Sequence, residues 1–212
     1  MCYSVSVQPR QRGDYMILCC NRKTDIRMGA DHMAWELESL SWIQDHRIEI
    51  MNPVMKFFSF LGNKGWFWIV LALVLLAMNR TRRTGIEMAA AMLLMFIVGN
   101  LFLKHIFDRV RPYEVHQALI TLGARPHDAS FPSGHSMQAF AASTAIFLNN
   151  KKWGAASLVV ASLIALSRLY NGMHYPTDVI AGVILGIAAG CISHILVSRY
   201  MDRRKSSNTD TQ

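Results

Sequence analysis

Long apolar stretches alternate with short polar segments over most of this chain. Five of them approach the length of a membrane crossing and carry no charge near their middle: residues 66–78, 86–107, 134–148, 153–169 and 179–197. A crossing takes about 20 mostly apolar residues, because backbone groups in lipid must bond within the helix. The first and third stretches are short for this, and buried core helices are the alternative for them. The pattern predicts an all-α, polytopic bundle with five transmembrane helices.

The first 62 residues follow a different pattern. Residues 31–62 mix aromatic and charged side chains at helical spacing, which is typical of helices that lie on a membrane surface. A sixth crossing within this segment is the alternative, and it would place the N-terminus inside the cell. Residues 1–30 hold one brief apolar patch, YMILCC, too short for the core of a signal peptide, and we expect poor order there. Residues 63–200 form the predicted membrane core, and 201–212 form a polar cytoplasmic tail.

The placement of the basic residues indicates how the helices cross. The formal net charge of +8 alone could indicate a nucleic-acid partner, but 52% of the residues are apolar. The basic residues cluster after the first, third and fifth apolar stretches, as Arg80, Arg82 and Arg83, as Lys151 and Lys152, and as Arg199, Arg203, Arg204 and Lys205. If all five stretches cross, these clusters share one side, which the positive-inside rule assigns to the cytoplasm. We therefore expect a multi-pass protein of the cell membrane without a nucleic-acid partner, and loops 108–133 and 170–177 outside.

Two cations lie at the outward end of the second stretch, in the segment KHIFDRVRP. Lys104 and Arg111 are seven residues apart, so both project from nearly the same face if the helix continues to Pro112. Single cations at a helix end usually extend to lipid headgroups. An arginine fork beside a lysine point charge also suits a phosphate dianion, so an anion site is the competing interpretation.

The segment FPSGHS, residues 131–136, leads from the outward loop into the third stretch. The N-terminus of a helix presents free N–H groups and a partial positive charge, and a phosphate can dock there. Gly134 lets the backbone approach a ligand closely, and Ser133 or Ser136 can cap the helix. His135 adds a proton donor beside that position. The alternative is an ordinary turn with a capping serine and an incidental histidine.

The segment SRLYNGMHYPTD, residues 167–178, joins the fourth and fifth stretches on the same side. Arg168 is another cation at a helix end. His174 precedes Asp178 by four residues, and Pro176 between them fits the first turn of a helix. Asp178 is then within reach of an imidazole N–H and can fix the tautomer, which leaves the other nitrogen free to attack. The alternative for Asp178 is a favourable charge at a helix N-terminus.

These three segments bring eight polar positions to one side of the membrane. Three cations, one helix N-terminus, two histidines and one carboxylate suit phosphoryl transfer through a phosphohistidine. Separate structural explanations for each residue do not account for their shared location. We predict three catalytic residues, His174, His135 and Asp178, and five that bind phosphate, Lys104, Arg111, Ser133, Gly134 and Arg168.

The same segments resemble the signature of the type-2 phosphatidic-acid phosphatase family of membrane lipid phosphatases, which shares its pocket with the vanadium haloperoxidases. That signature reads Lys, six residues, Arg-Pro; then Pro-Ser-Gly-His; then Ser-Arg, five residues, His, three residues, Asp. Every fixed position is met within residues 104–178. The resemblance implies a helical bundle that needs no metal or cofactor, with His174 as nucleophile, His135 as general acid and Asp178 orienting His174.

The resemblance also implies a lipid substrate at the membrane surface. Small members of the family resemble bacterial enzymes that act on undecaprenyl diphosphate, phosphatidylglycerophosphate or phosphatidic acid, and the first of these is our preferred hypothesis. A lipid phosphotransferase is the alternative, whereas the apolar spans argue against a haloperoxidase, since those enzymes are soluble. Three further outward donors, Arg109, Arg125 and His127, could hold a second phosphate, but solvated loop charge is the favoured interpretation.

Overall fold

The computed structural model of the protein describes the backbone of residues 26–209 and the side chains of residues 33–203. Every regular element in this part of the chain is helical, which confirms the predicted all-α class. The helices are α1 (Ile26–Asp45), α2 (Met51–Gly62), α3 (Trp66–Ala77), α4 (Arg82–Met95), α5 (Lys104–Phe107), α6 (Pro112–Val115), α7 (Gly134–Asn149), α8 (Lys151–Tyr170) and α9 (Pro176–Thr209). A π-helical stretch, Phe96–Leu103, joins α4 to α5.

Four parts of the described chain are long and apolar enough to cross a membrane: Met51–Ala77, Arg82–Val115, Lys151–Tyr170 and Pro176–Arg203. Each overlaps one of the predicted crossings almost completely, which supports a polytopic helical bundle. The remaining prediction falls on α7, which has 16 residues and is shorter than a usual crossing. α7 packs against α4, α8 and α9, which places it at the centre of the bundle, and its crossing of the membrane stays a prediction. The expected poor order at 1–30 lies mostly outside the described residues, and α9 stays helical through most of the predicted tail.

The first candidate span is bent in its middle. The sequence predicts a surface helix or a separate crossing before residue 63, but α2 and α3 together make up the candidate span Met51–Ala77. Lys64 and Gly65, which connect them, have left-handed backbone angles, with φ of 50° and 70°. Beyond this kink the contacts change, because α2 packs against α8 and α3 packs against α4.

Close packing of α7 on α9 sets the two helices in register. Gly182, Gly186 and Gly190 recur every four residues along α9 and face α7. A Cβ added to Gly186 would lie 2.6 Å from the backbone oxygen of Met137, so only glycine allows this approach. Small residues at every fourth position commonly bring membrane helices together in this way. The contact places the first turns of α7 and α9, which carry two of the sequence signatures, side by side.

A buried carboxylate connects α4, α7 and α9 at the end of the bundle that holds the N-terminus of α4 and the C-terminal part of α9. Glu87 on α4 is fully buried. Its carboxylate oxygens lie 2.9 Å from Arg83 Nε, 2.5 Å from Asn149 Nδ2 and 2.8 Å from His194 Nδ1. An ionisable group inside a membrane bundle is costly unless it is paired, and these contacts supply the partners. The predicted basic clusters surround this same end.

α1 lies at the opposite end of the bundle. Leu40 on its inner face packs with Leu119 and Tyr175 in a small buried cluster. Trp35 and Trp42 on its other face are exposed. Tryptophans of this kind are typical of helices at the membrane surface, and the predicted surface location of α1 remains a prediction.

Candidate active site

A cavity of about 850 Å³ opens at the end of the bundle that carries the three signature segments. Six of the eight predicted site residues line it: Lys104, Arg111, Gly134, His135, Arg168 and His174. The other two, Ser133 and Asp178, are fully buried behind this lining. The structure therefore brings the predicted residues together in one place, from the ends of four helices.

His174 lies in the short connection between α8 and α9 and is buried. Its Nδ1 atom is 2.8 Å from the backbone oxygen of Ser130, so we assign the proton to Nδ1. Nε2 is then unprotonated and lies 3.4 Å from Arg111 Nη1, and His174 is one of the residues that line the cavity. Burial, together with the positive charges of Arg168 and Arg111, lowers the pKa of His174 to about 4 despite the opposing effect of Asp178. The imidazole is thus neutral at physiological pH.

Asp178 acts on His174 less directly than the sequence suggested. The closest approach, between Asp178 Oδ2 and His174 Nδ1, is 3.6 Å, which is too long for a hydrogen bond. The hydroxyl of Ser130 donates to Oδ2 at 2.5 Å, and the backbone N–H of Tyr175 donates to the same oxygen at 3.0 Å. Ser130 therefore contacts both members of the pair. It is absent from the predicted set, although it directly precedes the FPSGHS segment.

Arg109 is not the solvated loop charge that we expected. Its Nη1 atom lies 2.6 Å from Asp178 Oδ1 and 2.7 Å from Thr177 Oγ1, and its Nη2 atom pairs with Glu36. The guanidinium carbon stands 3.9 Å above the centre of the Tyr175 ring. Arg109 therefore binds other side chains of the protein. Among them it binds Asp178 Oδ1, whereas the oxygen nearer to His174 is Oδ2.

Glu36 brings α1 into this network. The residue is buried, and besides Arg109 it accepts hydrogen bonds from the backbone N–H of Thr177, at 3.2 Å, and from the Thr177 hydroxyl. The N-terminal 62 residues carry no family signature, so nothing in the sequence assigned α1 to the site. Of the other two expected loop charges, Arg125 bonds to Thr121 and stacks on Tyr113, whereas His127 lines the cavity.

Lys104 and Arg111 converge on one carboxylate. Asp128 accepts from Lys104 Nζ through Oδ2, and from Arg111 Nη2 through Oδ1 at 2.7 Å. Partial burial by itself would raise the pKa of Asp128, but the two cations outweigh it and lower this pKa to about 2. Arg111 is further fixed by donating to the backbone oxygens of Asp128, at 2.8 Å, and Met173, at 2.9 Å. The two cations predicted to bind phosphate thus already hold an oxyanion between them.

Arg168 completes the set of cations. It is buried at the end of α8, and its Nη1 atom donates to the hydroxyl of Ser59 on α2. Its Nε atom is buried with no hydrogen-bond partner among residues 33–203. A buried guanidinium with an unused donor, beside a cavity, is suited to binding an anion.

The first turn of α7 forms a further part of the cavity wall, through Gly134 and His135. Ser133 precedes the helix, but its hydroxyl accepts from the Ser136 hydroxyl at 3.0 Å and caps no backbone N–H, so the predicted capping bond is absent at both serines. A Cβ added to Gly134 would lie 3.9 Å from Lys104 Nζ, which shows how near the helix start comes to that cation. The free N–H groups of this turn remain available to an anion.

Among the described residues, no group of three or more His, Cys, Asp or Glu side chains is arranged to hold a metal ion. The cavity instead concentrates cations, which suit a phosphate group directly.

Comparison with known proteins gives consistent matches over this region. The sequence profile of the PAP2 superfamily matches residues 84–202. An undecaprenyl-diphosphatase of Sulfolobus acidocaldarius is 30% identical over 159 residues, which cover 74% of this chain and 76% of that protein. The undecaprenyl-diphosphatase BcrC of Bacillus subtilis is 29% identical, over 68% of this chain and 74% of BcrC. The crystal structure of Aquifex aeolicus LpxE superimposes with a TM-score of 0.68 at 28% identity, covering 75% of this chain and 94% of LpxE.

Proposed function

The chain belongs to the PAP2 superfamily, as its signature segments indicated, and we propose on this basis that it is a membrane lipid phosphatase acting on undecaprenyl diphosphate. The observation that carries the proposal is the meeting of Arg111, Arg168 and Lys104 with two histidines in one cavity. Relatives that are named for undecaprenyl diphosphate support this choice of lipid.

In the first step, His174 attacks the terminal phosphorus through Nε2. A bond forms between Nε2 and phosphorus, and the bond from phosphorus to the leaving oxygen breaks. His135 gives a proton to that oxygen where the leaving group needs one. The Ser130 backbone oxygen, 2.8 Å from Nδ1, holds the remaining imidazole proton and orients the ring. The negative charge of Asp178 balances the positive charge that His174 acquires in the phosphohistidine.

In the second step, water attacks phosphorus and the bond to Nε2 breaks. A proton of that water goes to His135 where this ring gave up its own proton in the first step, and otherwise to solvent, and inorganic phosphate leaves. In both steps charge develops on the equatorial oxygens of the phosphoryl group, and fixed cations stabilise it. Arg111 and Arg168 supply this stabilisation from buried positions, with Lys104 and the N-terminus of α7. No metal ion takes part in this scheme.

The position of the cavity favours a lipid substrate. It lies at one end of apolar helices, where the phosphate of a lipid would meet it while the chain stays in the bilayer. The basic clusters lie at the other end, so the positive-inside rule supports a cavity on the outer face of the cell membrane. Labelling by a membrane-impermeant thiol reagent of a cysteine at Ala124, in intact cells, tests this orientation, and failure to label would reverse it.

The test of the proposed function is phosphate release by purified protein in detergent with EDTA present. Undecaprenyl diphosphate, phosphatidylglycerophosphate and phosphatidic acid are offered in parallel. We expect release that EDTA does not diminish and that is fastest with undecaprenyl diphosphate. Recovery of the phosphate on a second lipid would instead indicate a phosphotransferase. Folded protein that releases phosphate from none of the three lipids would contradict the proposal.

The buried position of His174 predicts an unusual titration. Because its pKa is lowered to about 4, the imidazole stays neutral as the pH falls from 8 to 5 and becomes protonated only below that range. An unperturbed histidine would titrate near pH 6.5. NMR of protein with ¹⁵N-labelled histidine, with the His174→Ala variant used for assignment, measures this directly. Titration of the His174 signal between pH 6 and 7 would refute this description of its environment.

Glu36 and Arg109 are proposed as positioning residues for the nucleophile. In Glu36→Gln the buried carboxylate that holds Arg109 and Thr177 is lost, so Asp178 is held less firmly. We expect kcat to fall about 10-fold, while KM changes little because the cations that bind phosphate are untouched. Glu38→Gln on the exposed face of the same helix is the matched control. An unchanged kcat, or an equal loss in the control, would rule out this role.

A further inference from the structure

Lys64 is a charged residue within an otherwise uncharged, largely apolar stretch. It is the single ionisable residue between Lys56 and Arg80, in the sequence FFSFLGNKGWFWIVLALVLLAMN, residues 57–79. It also lies near the middle of the candidate membrane span Met51–Ala77. A cation at such a position is costly in lipid and usually faces a polar cavity or a counter-charge. No ion pair involves Lys64 among the residues whose side chains are described.

Lys64 is an exposed residue at a backbone kink that borders the cavity. Lys64 and Gly65 have φ of 50° and 70°, and this left-handed pair interrupts the helix between α2 and α3. A lysine adopts such angles only at a cost, which the surrounding structure must compensate. Asn63, Lys64 and Gly65 all line the same cavity as the predicted site residues.

The kink is fixed against the first turn of α7. A Cβ added to Gly62 would lie 2.7 Å from Cδ2 of His135, so the backbone before Lys64 is in direct contact with that imidazole. A Cβ added to Gly65 would lie 3.8 Å from the side chain of Gln138, one turn further along α7. Lys64 therefore belongs to the wall of the cavity beside His135.

Whether a cation at this location can assist the reaction depends on the charge of the leaving group. In the proposed function His135 protonates the leaving oxygen, so the wall beside it is the side from which the leaving group departs. When a lipid monoester is cleaved, the leaving group becomes a neutral alcohol. When a lipid diphosphate is cleaved, it is a lipid phosphate, which remains an anion. A lysine on this side stabilises only the second kind of leaving group.

We propose that Lys64 binds the lipid-linked phosphate of a diphosphate substrate. This inference rests on the proposed function and adds a second phosphate subsite to it. Lys104, Arg111 and Arg168 hold the terminal phosphate, which is transferred to His174. Lys64 holds the phosphate that stays on the lipid, and it thereby selects diphosphates over monoesters.

The experiment compares purified wild type, Lys64→Met and Lys64→Arg, with Lys56→Met as the matched control on the exposed side of α2. For hydrolysis of undecaprenyl diphosphate we expect kcat/KM to fall about 10- to 100-fold in Lys64→Met, with most of the activity kept in Lys64→Arg and in the control. Inhibition by orthovanadate, which probes the terminal phosphate subsite alone, should have the same inhibition constant in wild type and Lys64→Met.

Two results would overturn the inference while leaving the proposed function intact. One is an unchanged kcat/KM of Lys64→Met on undecaprenyl diphosphate. The other is a weakening of vanadate inhibition equal to the loss of kcat/KM, because Lys64 would then act at the terminal phosphate. A wild type that releases no phosphate from undecaprenyl diphosphate would overturn the proposed function itself, and the inference with it.

Discussion

Replacing His174 by alanine is expected to lower the rate of phosphate release by at least about 10³-fold on every lipid that the wild type hydrolyses. Nε2 of this side chain is the nucleophile in the proposed first step, and alanine offers no group that could form the phosphohistidine. The loss should appear in kcat, measured as inorganic phosphate released in detergent, because the cations that bind the substrate remain.

The control for this variant is His46→Ala, which removes an exposed histidine just after α1. It should keep the activity of the wild type. A His174→Ala protein that retains more than about a tenth of the wild-type rate would show that another group attacks phosphorus. An equal loss in His46→Ala would point to a general effect of histidine replacement on the protein.

Replacing His135 by alanine should separate two kinds of substrate. A lipid alkoxide needs a proton to leave, whereas a lipid phosphate, with a second pKa of about 6, already leaves readily. We therefore expect hydrolysis of phosphatidic acid to fall by about 10²- to 10⁴-fold and hydrolysis of undecaprenyl diphosphate to fall much less.

The two substrates serve as controls for each other in the His135→Ala experiment. Both measurements use the same protein, so misfolding would lower both rates alike. Equal losses on the monoester and the diphosphate would exclude His135 as the acid that protonates the leaving group. A larger loss on the diphosphate would assign His135 to holding the second phosphate.

Much of the site could be predicted from the sequence, because its residues lie at helix ends that charge and hydropathy identify. Lys104 and Arg111 stand out as cations where an apolar stretch ends, and His174 stands out before the proline that starts α9. Residues at the same end of neighbouring spans must lie at the same depth. Six of the predicted residues line one cavity at this depth, so their grouping could be predicted without knowledge of how the helices pack.

The residues missing from the predicted set depend on contacts between distant parts of the chain. Glu36 is 73 positions from Arg109, and only the packing of α1 against the bundle brings them together. Arg109 lies in a loop, where a solvated charge is the usual expectation. Ser130 acts partly through its backbone oxygen, and no side-chain pattern can reveal that.

The sequence pattern did not predict the bend in the first span. The mixed aromatic and charged pattern of residues 31–62 predicts surface helices that end before the apolar stretch 66–78, whereas Asn63 and Lys64 lie at a polar interruption within one candidate span. An apolar stretch with a polar interruption fits either two short helices or one bent span. The choice depends on whether a cavity or counter-charge receives the lysine, and hydropathy alone carries no such information.

The stereochemical course at phosphorus distinguishes a phosphohistidine from direct attack by water. A lipid diphosphate with a terminal thiophosphate made chiral by ¹⁸O is hydrolysed in water enriched in ¹⁷O, and the configuration of the released thiophosphate is determined. Attack by His174 followed by attack of water inverts the configuration twice, so we predict net retention. Net inversion would mean that water attacks the substrate directly, and it would contradict the phosphohistidine and the role of His174 as nucleophile.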